Sequence, residues 1–283
     1  MSSTQQQVTV VTDSTADVPP DLAAELGIVT VPLRINFGQE SFRDQIDLTT
    51  EELIRRMERA PALPTTSQPT PAEFAATFQE QVDAGRDVVC VTIGGLLSGT
   101  YRSALAGAEQ VAPDRIAVVD GATTTMHLGW AAIEGARAAR AGADRESVAA
   151  AVRDAQARSN LFVVLRTLDY VYKGGRIGKV GQLVGSALNI KPIISVRDGR
   201  VTAIERVRTW KRAVRRLVEL AQGEGDLSDI MVLYVDDRSN ADAMLAELGE
   251  HFPNASVGIT RCGAVITTHV GPGAIGVATL RRA

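Results

Sequence analysis

The sequence has few of the features that mark specialised protein classes. It contains two cysteines and three histidines in 283 residues. Cys90 and Cys262 have no short-range partner to indicate a disulfide framework or a zinc site, and we interpret both as buried apolar residues. No stretch approaches the roughly 18 consecutive apolar residues of a membrane-spanning helix, and the N-terminus MSSTQQQ lacks the pattern of a signal peptide. These absences predict a cytoplasmic protein without a metal site.

The charge distribution excludes some functions and raises a question about one segment. A net charge of −3 and a pI near 5.7 argue against general binding to nucleic acid or to a membrane surface, which requires excess Lys and Arg. Between Lys173 and Arg216, however, twelve basic residues stand against two acidic ones. This local excess predicts a basic face on one side of the protein.

The length and the periodicity predict two units of different architecture. A chain of 283 residues exceeds the usual size of one domain. Through residue 159, β-rich runs alternate with helical patterns, which is typical of a doubly wound parallel sheet in an α/β domain. The predicted strands are residues 8–12, 28–35, 87–93 and 115–120.

From residue 160 to 283 the pattern changes to that of an α+β domain with a largely antiparallel or mixed sheet. Asp198-Gly199 lies between two β-rich runs and predicts a hairpin turn. Two closing strands are expected at residues 256–260 and 264–270. Helices are expected from Thr209 to about Gln222 and over residues 241–252.

Local signals place several helices in the first half of the chain. Thr49 with Glu52, and Thr70 with Glu73, form capping-box patterns that predict helix starts. The segment between them, residues 61–70, is rich in proline and hydroxyl groups and predicts a loop. Two alanine-rich helices are expected next, and they cover residues 126–141 and 145–158.

The loops that follow the predicted parallel strands share one chemistry, since glycines and hydroxyl groups dominate and Lys and Arg are absent. Ligands of doubly wound sheets bind at the carboxyl ends of the strands. Ser98-Gly99-Thr100 precedes a predicted helix, whose free N–H groups favour a small anion such as a carboxylate. The alternative is that Ser98 or Thr100 only caps the helix, and that Thr66 and Ser67 only stabilise their loop.

His269 is the histidine best placed for a function. It ends the predicted strand AVITTH and is followed by glycines that permit a close approach of the backbone. The sequence Gly271 to Gly276 matches a dinucleotide-binding fingerprint, but too few residues follow it for the rest of that motif. Because no phosphate-binding loop, metal-ligand spacing or nucleophile elbow is present either, the chain is predicted to hold a ligand rather than to catalyse a reaction.

Seven ordered motifs resemble the signature of the DegV family over nearly the whole chain: TDSTADVP, TTSQPT, LLSGTYRSA, DYVYKGGRIGK, NIKPIISVRDGRV, RVRT and THVGPGAIGV. The resemblance implies a bacterial lipid-binding protein similar to the fatty-acid-binding subunit of fatty acid kinase. In that system a separate ATP-dependent subunit phosphorylates the carboxylate of the bound acid. It further implies a long-chain fatty acid such as palmitate as ligand, no cofactor, no catalytic ATP site, and an acyl phosphate held for phospholipid synthesis.

The resemblance also implies roles for individual residues. Thr66, Ser98 and His269 fall on the positions that hold the fatty-acid carboxylate, and Gly99 and Thr100 would add backbone donors. Residues expected to contact the kinase subunit lie in the basic segment: Arg176, Lys179, Arg206 and Arg208. This chain departs from the family after the fourth strand, where it has Asp120-Gly121-Ala122-Thr123-Thr124. We expect that departure to affect the tail end or rim of the pocket.

Two other functions are alternatives at this point. Ser98 as nucleophile and His269 as base would make a serine hydrolase or acyltransferase. A regulatory protein could instead bind DNA through the basic face, although the negative net charge argues against it.

Overall fold

A computed structural model describes residues 7–178 and 190–283 of the chain. These residues form two compact units. The first contains residues 7–34 and 67–157, and the second contains residues 35–66, 158–178 and 190–283. Helices and strands are numbered along the whole chain.

The first unit is built on a parallel sheet of four strands. They are β1 Val8–Asp13, β2 Val29–Val31, β6 Asp87–Thr92 and β7 Ile116–Asp120. The strand order is β2-β1-β6-β7, and every neighbouring pair is parallel. The interior strands β1 and β6 are dense in valine, as expected for strands that are covered on both faces.

Helices cover both faces of this sheet. They are α1 Pro20–Leu26, α3 Pro71–Asp83, α4 Thr100–Val111, α5 Thr125–Arg140 and α6 Arg145–Arg158, with 3₁₀ turns at Ser14–Ala16 and Pro113–Arg115. Phe74 and Phe78 of α3 pack with Val11 in one buried cluster. Gly135 of α5 lies against Val10, whose side chain points to the opposite face. The predicted doubly wound architecture is confirmed.

The predicted helix caps form as hydrogen-bonded structures. Thr70 Oγ1 accepts from Glu73 N at 3.2 Å, and Glu73 Oε2 accepts from Thr70 N at 2.7 Å. Thr49 Oγ1 accepts from Glu52 N at 3.3 Å and begins helix α2, Thr50–Arg59. Both helix starts are therefore confirmed.

The second unit contains a mixed sheet of six strands: β8 Ser159–Val164, β9 Lys191–Arg197, β10 Arg200–Val207, β11 Leu227–Tyr234, β12 Ser256–Arg261 and β13 Ile275–Arg281. The order is β10-β9-β8-β13-β11-β12, and β11 with β12 is its parallel pair. Asp198 and Gly199 have φ values of 50° and 68°. Positive φ at both positions suits a type I′ hairpin turn, so the predicted hairpin is confirmed.

Helices α8 and α9 cover the core of this sheet. The helices of the second unit after α2 are α7 Asp169–Lys173, α8 Trp210–Gln222, α9 Arg238–His251 and α10 Ala264–Val270. Leu217, Met244 and Leu248 join Phe162 and Val232 of the strands in one buried cluster. The mixed sheet that the sequence predicts for this half of the chain is thus present.

Residues 35–66 group with the second unit, although they precede most of the first unit in the sequence. They take part in a small sheet of β3 Arg34–Phe37, β4 Glu40–Arg43 and β5 Thr65–Ser67, in the order β4-β3-β5. Asp44 and Thr50 hydrogen-bond residues 262–265, and these contacts tie the segment to the second unit. A predicted boundary at residue 159 does not account for this segment, because the contacts that tie it to the second unit join positions more than 200 residues apart.

Three local predictions were wrong. Ala264–Val270 is a helix rather than a strand, although its β-branched residues favour a strand. Residues 28–35 form two strands in different sheets because Pro32, which has no N–H, separates β2 from β3. The segment 61–70, predicted as a loop, contains the short strand β5.

Candidate functional site

Thr66 and His269 form a hydrogen-bonded pair in the second unit. Thr66 lies at the centre of β5, and His269 lies in the last turn of α10. Thr66 Oγ1 is 2.9 Å from His269 Nε2, although the two residues are 203 positions apart. The structure therefore brings together two of the residues that the resemblance assigns to one carboxylate.

The imidazole of His269 is neutral near pH 7. Burial, together with the positive charge of Arg176, lowers the pKa of His269 from 6.5 to about 4. Its Nδ1 atom is buried and has no hydrogen-bond partner among the described residues. If His269 Nε2–H donates to Thr66, the Thr66 hydroxyl can donate to a ligand. If Thr66 donates to Nε2, the proton is on Nδ1. The pair keeps one N–H or O–H donor in either tautomer.

Gly174 is a site residue that the sequence analysis missed. A Cβ on Gly174 would lie 2.5 Å from His269 Nδ1 and 2.9 Å from Tyr170 O. Arg176 Nη1 donates to Gly174 O at 2.7 Å. Any side chain at position 174 would therefore displace the imidazole ring. The sequence signal that could have indicated this close approach is the adjacent pair of glycines after the short helix α7.

The glycines after His269 allow the close approach that the sequence predicts. Gly271 ends α10 with φ 77°, and its N–H donates to Thr267 O at 2.8 Å. A Cβ on Gly271 would lie 2.2 Å from the ring of Tyr170. The end of α10 is thus packed against the segment that also contacts His269.

Ser98, Gly99 and Thr100 form a second polar group, located in the first unit at the start of α4. Ser98 Oγ lies 2.8 Å from Thr100 Oγ1 and accepts from Thr100 N at 3.3 Å. One of the two hydroxyls donates to the other, and the second hydroxyl hydrogen remains for another acceptor. A Cβ on Gly99 would lie 2.6 Å from Gln68 Nε2. Ser98 therefore contributes to capping, and neither of these described partners is a base that would activate it as a nucleophile.

Two carboxylates organise the loops at this edge of the parallel sheet. Asp13, which ends β1, is buried, and its Oδ2 accepts from Ile93 N at 2.6 Å. Burial raises the pKa of Asp13 even though hydrogen bonds to its carboxylate act in the opposite direction. Asp120 Oδ1 accepts from Gly95 N at 3.0 Å and from Ala122 N at 2.9 Å. The loops that follow β1, β6 and β7 meet at one edge, as expected for parallel strands.

The departure at residues 120–124 lies within this network. Gly94 N donates to Thr123 O at 2.8 Å, and a Cβ on Gly121 would lie 2.2 Å from a carbonyl oxygen of β6. His127 Nε2 is 3.3 Å from Gln156 O and His127 Nδ1 is 2.9 Å from Thr123 Oγ1. Because a carbonyl only accepts, Nε2 carries the proton and Nδ1 accepts from Thr123. His127 therefore braces this loop.

The residues expected to contact a kinase subunit lie in different environments. Arg206 and Arg208 are exposed and have no ion-pair partner among the described residues. Arg176 is half-buried and close enough to His269 to lower its pKa. Lys179 lies outside the described residues. Arg216 is paired with two glutamates at 2.6 and 3.0 Å, which neutralises part of the basic excess.

Residues 7–178 and 190–283 contain both cysteines and all three histidines of the chain. Cys90 and Cys262 are buried thiols, and burial, followed by the charge of Asp13, raises the pKa of Cys90 well above its usual value. No cluster of three His, Cys, Asp or Glu side chains suited to a metal ion occurs in these ranges. None of the helices described there has both the length and the apolar character that crossing a membrane requires.

The fold and the polar groups define a class of protein: a two-unit α/β protein with one parallel and one mixed sheet, and with hydroxyl and imidazole groups at loop and helix ends. A family model described as "Uncharacterised protein, DegV family" matches residues 7–282. The chain belongs to the DegV family.

Similar proteins match this chain over nearly their full lengths. A DegV domain-containing protein of Deinococcus radiodurans is 37% identical over 278 residues, which cover 96% of this chain and 97% of that protein. The structure of a fatty-acid-binding DegV family protein from Thermus thermophilus is similar, with TM-score 0.91, 31% identity and coverage of 98% and 100%. A stearic-acid-binding protein from Eubacterium ventriosum is similar as well, with TM-score 0.88, 27% identity and coverage of 96% and 97%.

Proposed function

We propose that this chain binds a long-chain fatty acid and acts as a non-catalytic carrier. The observation that carries the proposal is the pair of Thr66 and neutral His269, in a fold whose relatives from T. thermophilus and E. ventriosum bind fatty acids. A carboxylate is an acceptor, and the Thr66 hydroxyl can donate to it when His269 Nε2–H donates to Thr66. The guanidinium of Arg176 adds positive charge close to the imidazole, which favours an anionic head group.

We assign Ser98, Gly99 and Thr100 to carboxylate binding as well. The assignment rests on the match of the LLSGT motif to the family. It is supported by the remaining hydroxyl hydrogen of the Ser98–Thr100 pair and by the position of this pair at the N-terminus of α4, which is the positive end of the helix dipole. This group contains no cation, so it would orient the head group through neutral hydrogen bonds.

The acyl tail is expected to supply most of the affinity. Transfer of a methylene from water to an apolar environment is favourable by about 0.8 kcal/mol. A palmitate tail would therefore gain on the order of 11 kcal/mol before the cost of immobilising ligand and protein is subtracted. Loss of one hydrogen bond to the head group should weaken binding without abolishing it.

The direct test is the identity of the lipid that copurifies with the protein. Mass spectrometry of the denatured protein should release a long-chain fatty acid at close to one equivalent. Thr66→Ala and His269→Ala should retain less lipid, and so should Ser98→Ala. Thr65→Ala, on the exposed neighbour of Thr66 in β5, is the matched control and should retain as much as the wild type. Absence of lipid from gently purified wild-type protein, with no uptake of added palmitate, would contradict the proposal.

The finer proposal is that a separate ATP-dependent kinase subunit docks on the basic face and phosphorylates the bound acid. This chain then holds the acyl phosphate for phospholipid synthesis. Arg206 and Arg208 are exposed and have no ion-pair partner in the part of the chain that the structure describes, and this supports the role because unpaired surface charge can steer an acidic partner. Arg206→Glu with Arg208→Glu should reduce phosphorylation by such a kinase and leave fatty-acid binding intact.

The matched control for that test is Arg153→Glu on α6, an exposed arginine outside the basic segment. Equal phosphorylation of the double variant and the control would contradict docking through Arg206 and Arg208. Stoichiometric labelling of Ser98 by a fluorophosphonate would instead favour a serine hydrolase and contradict the carrier role.

A further inference from the structure

Helix α10 is anchored at its start by residues from a distant part of the chain. Asp44 is 1% exposed, and its Oδ1 accepts from Ala264 N at 2.8 Å and from Val265 N at 3.3 Å. Thr50 Oγ1 donates to Cys262 O at 2.7 Å, just before the helix. The first N–H groups of α10 therefore bind a carboxylate 220 positions away in the sequence.

This anchor matters because α10 is weak as an isolated helix. It has seven residues, whereas helices shorter than about 12 residues are marginal in water by themselves. Its N-cap residue is Gly263, which has no side chain to cap the helix. The β-branched residues within it favour a strand. The helical state of this segment, and with it the position of His269 in the last turn, depends on tertiary contacts.

The anchoring segment also leads to Thr66. Helix α2, which begins at Thr50, packs against α10, and the chain then runs through residues 60–64 into β5. Glu51 of α2 forms an ion pair with Arg261, which precedes α10. One continuous stretch thus holds the start of the helix that carries His269 and supplies its partner Thr66.

We propose that Asp44 and Thr50 are positioning residues of the carboxylate site: by anchoring the start of α10 they hold His269 opposite Thr66. Neither residue is expected to touch the ligand. The importance of this anchor for ligand binding rests on the proposed function, whereas its effect on His269 does not.

The test uses the full chain labelled with ¹⁵N-histidine, which gives ring signals from three residues. In the wild type, His269 should show one fixed neutral tautomer because Thr66 holds its Nε2. Asp44→Ala should replace this signal with one averaged between tautomers, while the His127 signal stays unchanged. Asp44→Asn should restore the wild-type signal, because its amide oxygen can still accept from the helix.

Palmitate binding is measured on the same proteins. A lost N-cap costs about 1 kcal/mol, which corresponds to a factor of roughly five, so Asp44→Ala should weaken palmitate binding by up to that factor. Asp144→Ala controls for loss of a cap elsewhere, since Asp144 accepts from Ser147 N at 2.9 Å at the start of α6. If Asp44→Ala does not fold, Thr50→Val tests the same anchor and should move the His269 signal in the same direction.

Three results would overturn the inference: unchanged His269 signals and palmitate affinity in Asp44→Ala; equal changes in Asp144→Ala; or a wild-type His269 signal in Thr50→Val when Asp44→Ala is unfolded. Failure of the wild type to bind palmitate would overturn the proposed function instead. In that case the tautomer signals of His269 would still test whether the anchor at the start of α10 positions this residue.

Discussion

The low pKa of His269 predicts a specific dependence of stability on pH. The pKa is 6.5 in the unfolded chain and about 4 in the folded protein, so the unfolded chain binds the proton more readily. The contribution of His269 to stability is therefore complete above pH 6.5 and is lost as the pH falls towards 4. Each pKa unit corresponds to about 1.4 kcal/mol, so the free energy of unfolding should fall by up to about 2 kcal/mol between pH 6.5 and pH 5. Water at the partly exposed ring makes this an upper value.

His269→Gln isolates this contribution, because glutamine offers an amide to Thr66 but does not titrate. Other groups with shifted pKa values, such as Asp13, are present in both proteins, so their effects cancel in the comparison. The stability advantage of the wild type over the variant should therefore shrink by up to about 2 kcal/mol between pH 6.5 and pH 5. The same replacement at the exposed His251 controls for the change of residue type.

Urea unfolding followed by tryptophan fluorescence measures the effect. Trp210 lies in the second unit with His269, whereas Trp130 lies in the first. A Trp130→Phe background therefore makes the fluorescence report on the unit that contains His269. Equal differences between wild type and His269→Gln at both pH values would refute the reasoning, and so would a histidine ring titration that places the His269 pKa near 6.5.

Two further substitutions test local features of the fold. Gly174→Ala places a Cβ 2.5 Å from His269 Nδ1 and should displace the imidazole ring from Thr66. Palmitate retention should therefore fall at least tenfold, while the circular dichroism spectrum stays near normal. Retention equal to that of the wild type would contradict the close approach of Gly174 to His269. Thr70→Ala breaks the reciprocal cap with Glu73 and should lower the free energy of unfolding by about 1 kcal/mol without changing palmitate retention. A decrease of less than about 0.3 kcal/mol would contradict the role of the cap.

The sequence alone determined the elements whose signals are local. Both predicted helix starts, at Thr49 and at Thr70, form because a side chain bonds an N–H group three residues away. The Asp198-Gly199 hairpin forms because both residues adopt positive φ. The buried valine-rich strands and the amphipathic helices predict the parallel and mixed sheets, because their patterns of apolar residues can be recognised in the sequence.

Only the tertiary structure decided how distant segments combine at the candidate site. The β-branched segment 264–270 is a helix whose first N–H groups bind Asp44 and whose residues 264–268 are buried, and residues 35–66 group with the second unit. Gly174 is required because the ring of His269 lies against it. These outcomes depend on pairs of residues far apart in the sequence, and local propensity, which amounts to less than about 1 kcal/mol per residue, yields to such contacts.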